Sequence, residues 1–559
     1  MENQNDHGGG PRVPALGRRD LMKLGAGAGL TLPLMTPRVG SAQQARTAPT
    51  AGLDEAPKLN VQRWPDIRGS QQVAASTQTG YTVSTGPGWV NRSGRASGNG
   101  PMDECSRRIV EFVNSYSESK LTDSLTETIN YLMVDTLACF YGGFETEPIR
   151  IAARLSETMP GPCTVAGYGI KTTYEMAAFT NAAMIRHTDF NTAPHNNEMF
   201  GGILAAGEAL HATGPQVMAA MVIAYEVVTA IGNTGQGNYD PSGWDDPYHS
   251  VGVAMGVGKL MGLDQDQLAN ALSLALVPHM PMYVCHIGTQ SMWKGTHSAE
   301  QVRNGMWGAV LAREGMTGPC MPFEGRDGLI AHIGPFTRDL RFPASTDGRM
   351  ALETIHGNGG GYKRVASEGN TQNFHQNIAP ALIAWAKPEE IASIDVRIHY
   401  FGWQEISDPP KWDPQNRETA DHSMPYNIAR HLIDKQIYLD SFTREKYMDP
   451  AARELMSKIR IRPLPDRNIG DGTIVTVRKK SGEERVFMGK AVPPMSHEEL
   501  IQKHNRLSDF MQISPEQREK ARSQWMNLRS VKDIAEAMKT IAKFGRPKPL
   551  SDRSPARIA

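Results

Sequence analysis

Arg186-His187-Thr188-Asp189-Phe190-Asn191-Thr192-Ala193-Pro194-His195 is the stretch on which the reading of this chain turns. An apolar, helix-like run from Tyr174 to Ile185 leads into it, and a second, Gly201 to Ala212, leads out. Its ten positions hold two His, one Asp, one Arg and several small polar residues. Asn191 and Pro194 favour an irregular backbone. A polar loop between two greasy helices holds ionisable groups where acid–base work and a tight pocket are both possible. The same composition also suits a surface loop with a capping Asp and a structural His.

Around this loop the pattern is helical. Leu121-Thr122-Asp123-Ser124 opens a helix with Leu125, Ile129, Leu132, Met133, Leu137 and Phe140 on one face, and Gly142-Gly143 ends it. Further helices are expected over 216–231, 249–261, 264–277 and 298–313, with Asp264 and Gln267 spaced as a capping box. These runs are dense in Ala, Gly and Met, which permit close backbone approach and fill irregular gaps. They predict a tightly packed, all-helical domain. After four glycines in 357–361 the texture changes. Ile394, Val396, Ile398 and Tyr400 alternate with polar residues, and 458–462 does the same, as half-buried strands should. Residues 472–479 and 484–488 flank Lys480-Ser481-Gly482-Glu483, a hairpin signal. Pro425 sits in the first turn of a helix expected over 424–433. Helix returns over 497–544.

The chain has 559 residues, enough for more than one core. Its 59 basic and 59 acidic residues balance, so no global field draws nucleic acid or an anionic membrane. The five cysteines are far apart and form no CxxC pair, which argues against an iron–sulfur cluster or a cysteine zinc site. Arg18-Arg19-Asp20-Leu21-Met22-Lys23, a weak apolar run from Leu24 to Met35 and Ser41-Ala42-Gln43-Gln44-Ala45 read together as a twin-arginine export signal. Its partner would be the twin-arginine export machinery, and its destination the periplasm. Residues 46–102 read as a linker or extended arm.

Four further clusters stand out. In Cys285-His286-Ile287-Gly288-Thr289-Gln290-Ser291-Met292-Trp293-Lys294-Gly295-Thr296-His297, a lysine among small residues before a helix suits a carboxylate. Tyr362-Lys363-Arg364-Val365-Ala366-Ser367-Glu368-Gly369-Asn370-Thr371-Gln372 places adjacent cations before a polar, Gly-containing turn, suited to a polycarboxylate or to an ordinary surface. Asp421-His422-Ser423 stands before the helix carrying Pro425, with Asp421 and Ser423 as candidate caps. Gly325-Arg326-Asp327-Gly328 reads as a structural turn.

Taken in order, these motifs resemble the MmgE/PrpD family. The resemblance rests on His187-Thr188-Asp189-Phe190-Asn191-Thr192 with His195, on His286-Ile287-Gly288, Met292-Trp293-Lys294-Gly295 and Lys363-Arg364, and on Thr419-Ala420-Asp421-His422-Ser423-Met424-Pro425-Tyr426. It covers about residues 103–545. It implies a mainly α fold: a large all-helical domain with an inserted α+β lid domain. The segments would be a helical first part over 103–347, a lid over 348–492, a helical return over 493–545 and a tail over 546–559. It also implies a homodimer and cofactor-independent, metal-free chemistry on a small polycarboxylate. Asp189, Thr192, His195 and His422 are the catalytic candidates. Lys294, Lys363, Arg364, His286 and Glu368 are the substrate-binding candidates. The family's activities include dehydration of 2-methylcitrate, decarboxylation of cis-aconitate and epimerisation.

This chain departs from the family pattern. Its loop is shortened by one acidic position at Asn191-Thr192, and Asn196 stands where Pro is usual. Tyr283 replaces a lysine and Glu368 a histidine of the decarboxylase branch, which turns the reading toward a hydro-lyase acting on a hydroxy di- or tricarboxylate. Alternatives are an epimerase or decarboxylase of a related carboxylate, and a periplasmic carboxylate-binding protein without catalysis. A metal held by His187, Asp189 and His195 would have nitrogen and oxygen ligands suited to zinc or iron, but the resemblance implies none.

Overall fold

A computed structural model describes residues 102–235, 247–279, 281–464 and 472–553. The export signal and nearly all of the arm lie outside the described residues. Helices dominate. Thr122 caps the helix Asp123–Gly143 through its side chain, and Asp264 and Gln267 close a capping box on Gln265–Leu276. Gly214–Gly232 is apolar and long enough to cross a membrane, yet 83% of its apolar window is buried inside the protein. The small residues are what let its neighbours close in. A Cβ at Gly256 would lie 2.7 Å from the Ala220 carbonyl oxygen, and one at Gly305 only 2.3 Å from that of Ser250. Alanine at either position would push two helices apart.

The expected fold class needs correcting. The first region is not all-helical: β1 (Cys163–Val165) and β2 (Ile170–Thr172) form an antiparallel hairpin. Glu208 pins it, accepting from the Thr164 amide at 2.6 Å and from the Thr164 hydroxyl at 2.6 Å. Nor does a separate inserted lid stand apart, because all described residues fall within one compact unit. The content is mixed α/β with a helical majority and two small sheets.

Two hydrophobic cores lie inside that unit. The larger runs from Met102 to Ala366 and takes in Leu500, Leu507, Trp525 and Ile534 from the C-terminal helices. The smaller is built on a four-stranded sheet of order β4-β3-β5-β6, with β3 Ile391–His399, β4 Ile459–Leu464, β5 Ile474–Lys479 and β6 Glu484–Met488. β3 pairs parallel to β4 and antiparallel to β5. The alternation seen in the sequence sets the face: Ile394, Val396, Ile398, Ile459, Ile461, Val475 and Val477 are buried against Phe374, Leu382, Met424 and Ile428. The crossover from β3 to β4 carries the helices Tyr400–Ile406, Arg417–Asp421 and Met424–Asp434. Glu405, Asp421 and His422 are therefore delivered from one connection.

Candidate active site

The loop after Tyr174–Arg186 turns sharply. Asp189 has φ 51, a left-handed conformation that Asp tolerates better than most residues. The turn drives its carboxylate inward, where it is 1% exposed. Three cations meet it. Arg186 Nη1 and Lys363 Nζ each stand 2.7 Å from Oδ1, and Lys294 Nζ stands 3.1 Å from Oδ2. Burial alone would raise the Asp189 pKa. Lys294, Lys363 and Arg186 outweigh it and hold the carboxyl well below the usual carboxylate range.

Lys294 is shared. Its Nζ also lies 3.3 Å from Asp421 Oδ1, while Arg417 Nη1 reaches Asp421 Oδ2 at 3.2 Å. The His422 ring meets Asp421 Oδ1 through Nδ1. An ionised Asp421 accepts there, which sets the tautomer with a proton on Nδ1 and an open lone pair on Nε2. Burial, with Lys294 next, pushes the His422 pKa down to about 3, so the ring is neutral at ordinary pH. His195 is likewise held neutral, by burial and then by Arg186 and Lys363.

Above this charged floor lies a cavity of about 460 Å³. Arg186, Asp189 and His195 line it from the loop. His286, Glu368, Asn370, His399, Glu405 and His422 line it from the remaining elements. Its upper wall is a chain of polar contacts. Asn370 Nδ2 donates to Glu368 Oε1 at 2.8 Å and to Glu405 Oε2 at 2.9 Å, and Asn370 Oδ1 faces His399 Nε2 at 3.0 Å. His286 Nδ1 lies 3.3 Å from Glu405 Oε1. Burial, and then the Glu405 charge, push the Glu368 carboxyl up to about 8. Burial would raise Glu405 too, but His286 outweighs it and lowers its pKa. One wall thus carries a carboxylic acid that stays protonated at neutral pH beside a carboxylate that stays ionised.

The geometry sorts the sequence candidates. Asp189, His195, His286, Glu368 and His422 share the cavity. Lys294 and Lys363 sit beneath it, committed to Asp189. Thr192 is fully buried and holds the loop together instead, its hydroxyl proton shared between the Pro194 carbonyl at 2.9 Å and Asn197 Oδ1 at 3.1 Å. Arg364 points elsewhere. It grips Glu499 with Nε and Nη2, both at 2.9 Å, and donates to the carbonyls of Pro493 and Pro494. His399 and Glu405 escaped sequence reading, since neither belongs to a recognisable spacing, whereas Asn370 lies in the polar turn that follows Lys363-Arg364. His399 ends β3 and caps the helix Tyr400–Ile406, accepting from the Gly402 amide at 3.1 Å.

Comparison with known proteins covers the same regions. The family model of the MmgE/PrpD N-terminal domain matches residues 107–337, and that of the MmgE/PrpD C-terminal domain matches 373–527. A cis-aconitate decarboxylase of Aspergillus terreus is 27% identical over 372 residues, 60% of this chain and 73% of that protein. The human cis-aconitate decarboxylase is 24% identical over 467 residues, 78% of this chain and 94% of its own length. A 2-methylcitrate dehydratase of Salmonella typhi is 27% identical over 241 residues, 38% and 48% of the two chains.

Proposed function

This chain belongs to the MmgE/PrpD family, and from that premise we propose that it is a hydro-lyase that removes water from a small hydroxy di- or tricarboxylate. Elimination needs a base for the proton α to a carboxylate and an acid for the departing hydroxyl. The observation that carries the reading is Glu368, a buried carboxylic acid pushed up to about 8 and facing the same cavity as the neutral imidazole of His195. His195 takes the α-proton. The electron pair passes through the carboxylate-stabilised carbanion into a new carbon–carbon double bond as the β carbon–oxygen bond breaks. Glu368 gives its proton to the leaving hydroxyl, and the products are water and an unsaturated carboxylate. Asp189 fixes the loop that carries His195, and Arg186, the cation in the cavity lining among the described residues, would face the developing negative charge.

Dehydration of a 2-methylcitrate-type panel, followed by NMR as vinylic signals appear, is the direct test. If the wild-type protein turns over no member, or His195→Gln turns over as fast as wild type, the assignment fails. Decarboxylation is the second reading, favoured by the long matches to cis-aconitate decarboxylases. Carbon dioxide release from an unsaturated tricarboxylate would select it over water loss. We further read the protein as exported by its twin-arginine segment and as a homodimer. A reporter fused to residues 1–50 that stayed in the cytoplasm would exclude export, and a monomer by light scattering would exclude the dimer.

A further inference from the structure

Both lysines that the sequence offers as substrate cations are spent on Asp189. Among the described residues lining the cavity, Arg186 is the sole permanent cation, and it already pairs with Asp189 at 2.7 Å and Glu198 at 3.2 Å. Asp189 and Glu405 face the same space as ionised carboxylates. A trianion entering it therefore meets one permanent positive charge and two carboxylates. Each carboxylate that leaves water without a charged partner is costly to bury. The far side of the cavity is different in kind. Arg397 of β3 pairs with Ile474 of β5, and Ile474 with Met488 of β6, so the end of β3, the start of β5 and the end of β6 lie together at one end of the sheet. Ile398 and Phe401 at the end of β3 and Val492 beyond β6 line the cavity from there. Tyr283 joins them, its ring centroid 6.1 Å from that of Phe401.

We propose that the substrate is a hydroxy dicarboxylate carrying an alkyl or aryl arm, and that Tyr283, Ile398, Phe401 and Val492 receive that arm. The hydroxyl rests on the hydro-lyase reading above, the arm on the cavity wall. The carboxylate next to the departing proton faces Arg186. The arm passes from water onto two aromatic rings and two branched aliphatic side chains, which stabilises it in proportion to the apolar area covered. A carboxylate arm in the same place loses its water and gains no cation, since no Lys or Arg among the described residues lies on that wall. The arm takes no part in the bond changes. It sets which acid is chosen, not how water leaves.

The test compares two acids that differ only in the arm: benzylsuccinate, which ends in a phenyl ring, and tricarballylate, which ends in a carboxylate there. Neither has a hydroxyl to lose, so binding is read apart from turnover. Calorimetric titration of the full-length protein should give benzylsuccinate a Kd about tenfold or more below that of tricarballylate. Phe401→Ala should remove most of that advantage while binding tricarballylate as wild type does, a split that general damage to the fold does not produce. Equal or tighter binding of tricarballylate to wild type overturns the arm, as does failure to bind benzylsuccinate or a folded Phe401→Ala that keeps the full preference. If Phe401→Ala fails to fold, the wild-type ratio decides. The hydroxy counterpart, 2-benzylmalate, should lose water with a kcat/KM about tenfold or more above that of citrate. A preference for benzylsuccinate with no dehydration of any hydroxy acid would sink only the hydro-lyase reading. Dehydration of tricarboxylates together with tighter binding of tricarballylate would sink only the arm.

Discussion

The floor and the upper wall of the cavity solve the burial of carboxylates in opposite ways. On the floor, Asp189 and Asp421 are surrounded by Lys294, Lys363, Arg186 and Arg417, so both remain ionised. On the wall, Glu368 and Glu405 share Asn370, and burial together with the Glu405 charge leaves Glu368 holding its proton. The difference separates scaffold from chemistry. A carboxylate ringed by fixed cations has no proton to give and little reason to move. A carboxyl held near neutrality can donate one.

The floor is where disruption should cost most. Asp189→Ala leaves Lys294 and Lys363 buried opposite a missing charge, and stripping one partner from a buried ion cluster costs about 3–5 kcal/mol. Urea denaturation should show a loss of that order, and activity should vanish with it. An Asp189→Ala protein as stable as wild type would dissolve the distinction between floor and wall. Glu368→Gln should do the reverse. It keeps shape and polarity and removes the cost of holding a carboxyl protonated, so the unfolding midpoint at neutral pH should hold or rise, while turnover in the dehydration assay falls about 10²–10⁴-fold for a lost general acid.

The same group predicts a slope in stability with pH. The folded carboxyl of Glu368 holds its proton up to about 8, whereas its ordinary value is 4.5. Between those values the native state binds more protons than the unfolded chain, so this contribution is fully present below pH 4.5, declines as pH rises, and is gone above about 8. The total change is on the order of a few kcal/mol. Denaturation from pH 5 to 9 should show the decline, and Glu368→Gln should flatten it. An equal slope in the variant would place the titration elsewhere.

How much of this was written in the chain depends on which link carried the signal. The loop 186–195 was legible because two apolar helical runs bracket a polar decapeptide, and the pattern change over 357–400 marked the sheet. The β1–β2 hairpin was not, because three-residue strands have no room for periodicity. Glu405 was not, because it reaches the cavity through a parallel crossover whose path follows from strand pairing, not from spacing. Residues 1–101 lie outside the described structure, so the export reading stands on sequence alone.

The adjacent pair Lys363-Arg364 is the plainest case, and it carries the smallest expected effect. Two neighbouring cations look equivalent in sequence. Packing sends Lys363 inward to Asp189 and turns Arg364 toward Glu499 on the helix His497–Phe510. The Arg364–Glu499 pair is partly exposed, at 22% and 40% of the side chains, so screening by water keeps its value low. Arg364→Ala should therefore cost about 0–1 kcal/mol and leave kcat/KM for the carboxylate substrate unchanged, while Lys363→Met, stripped from a fully buried cluster, should cost far more in stability. A selective rise in KM in Arg364→Ala would mean that this side chain swings into the cavity when substrate binds. The boundary between scaffold cations and substrate cations would then have to be redrawn around it.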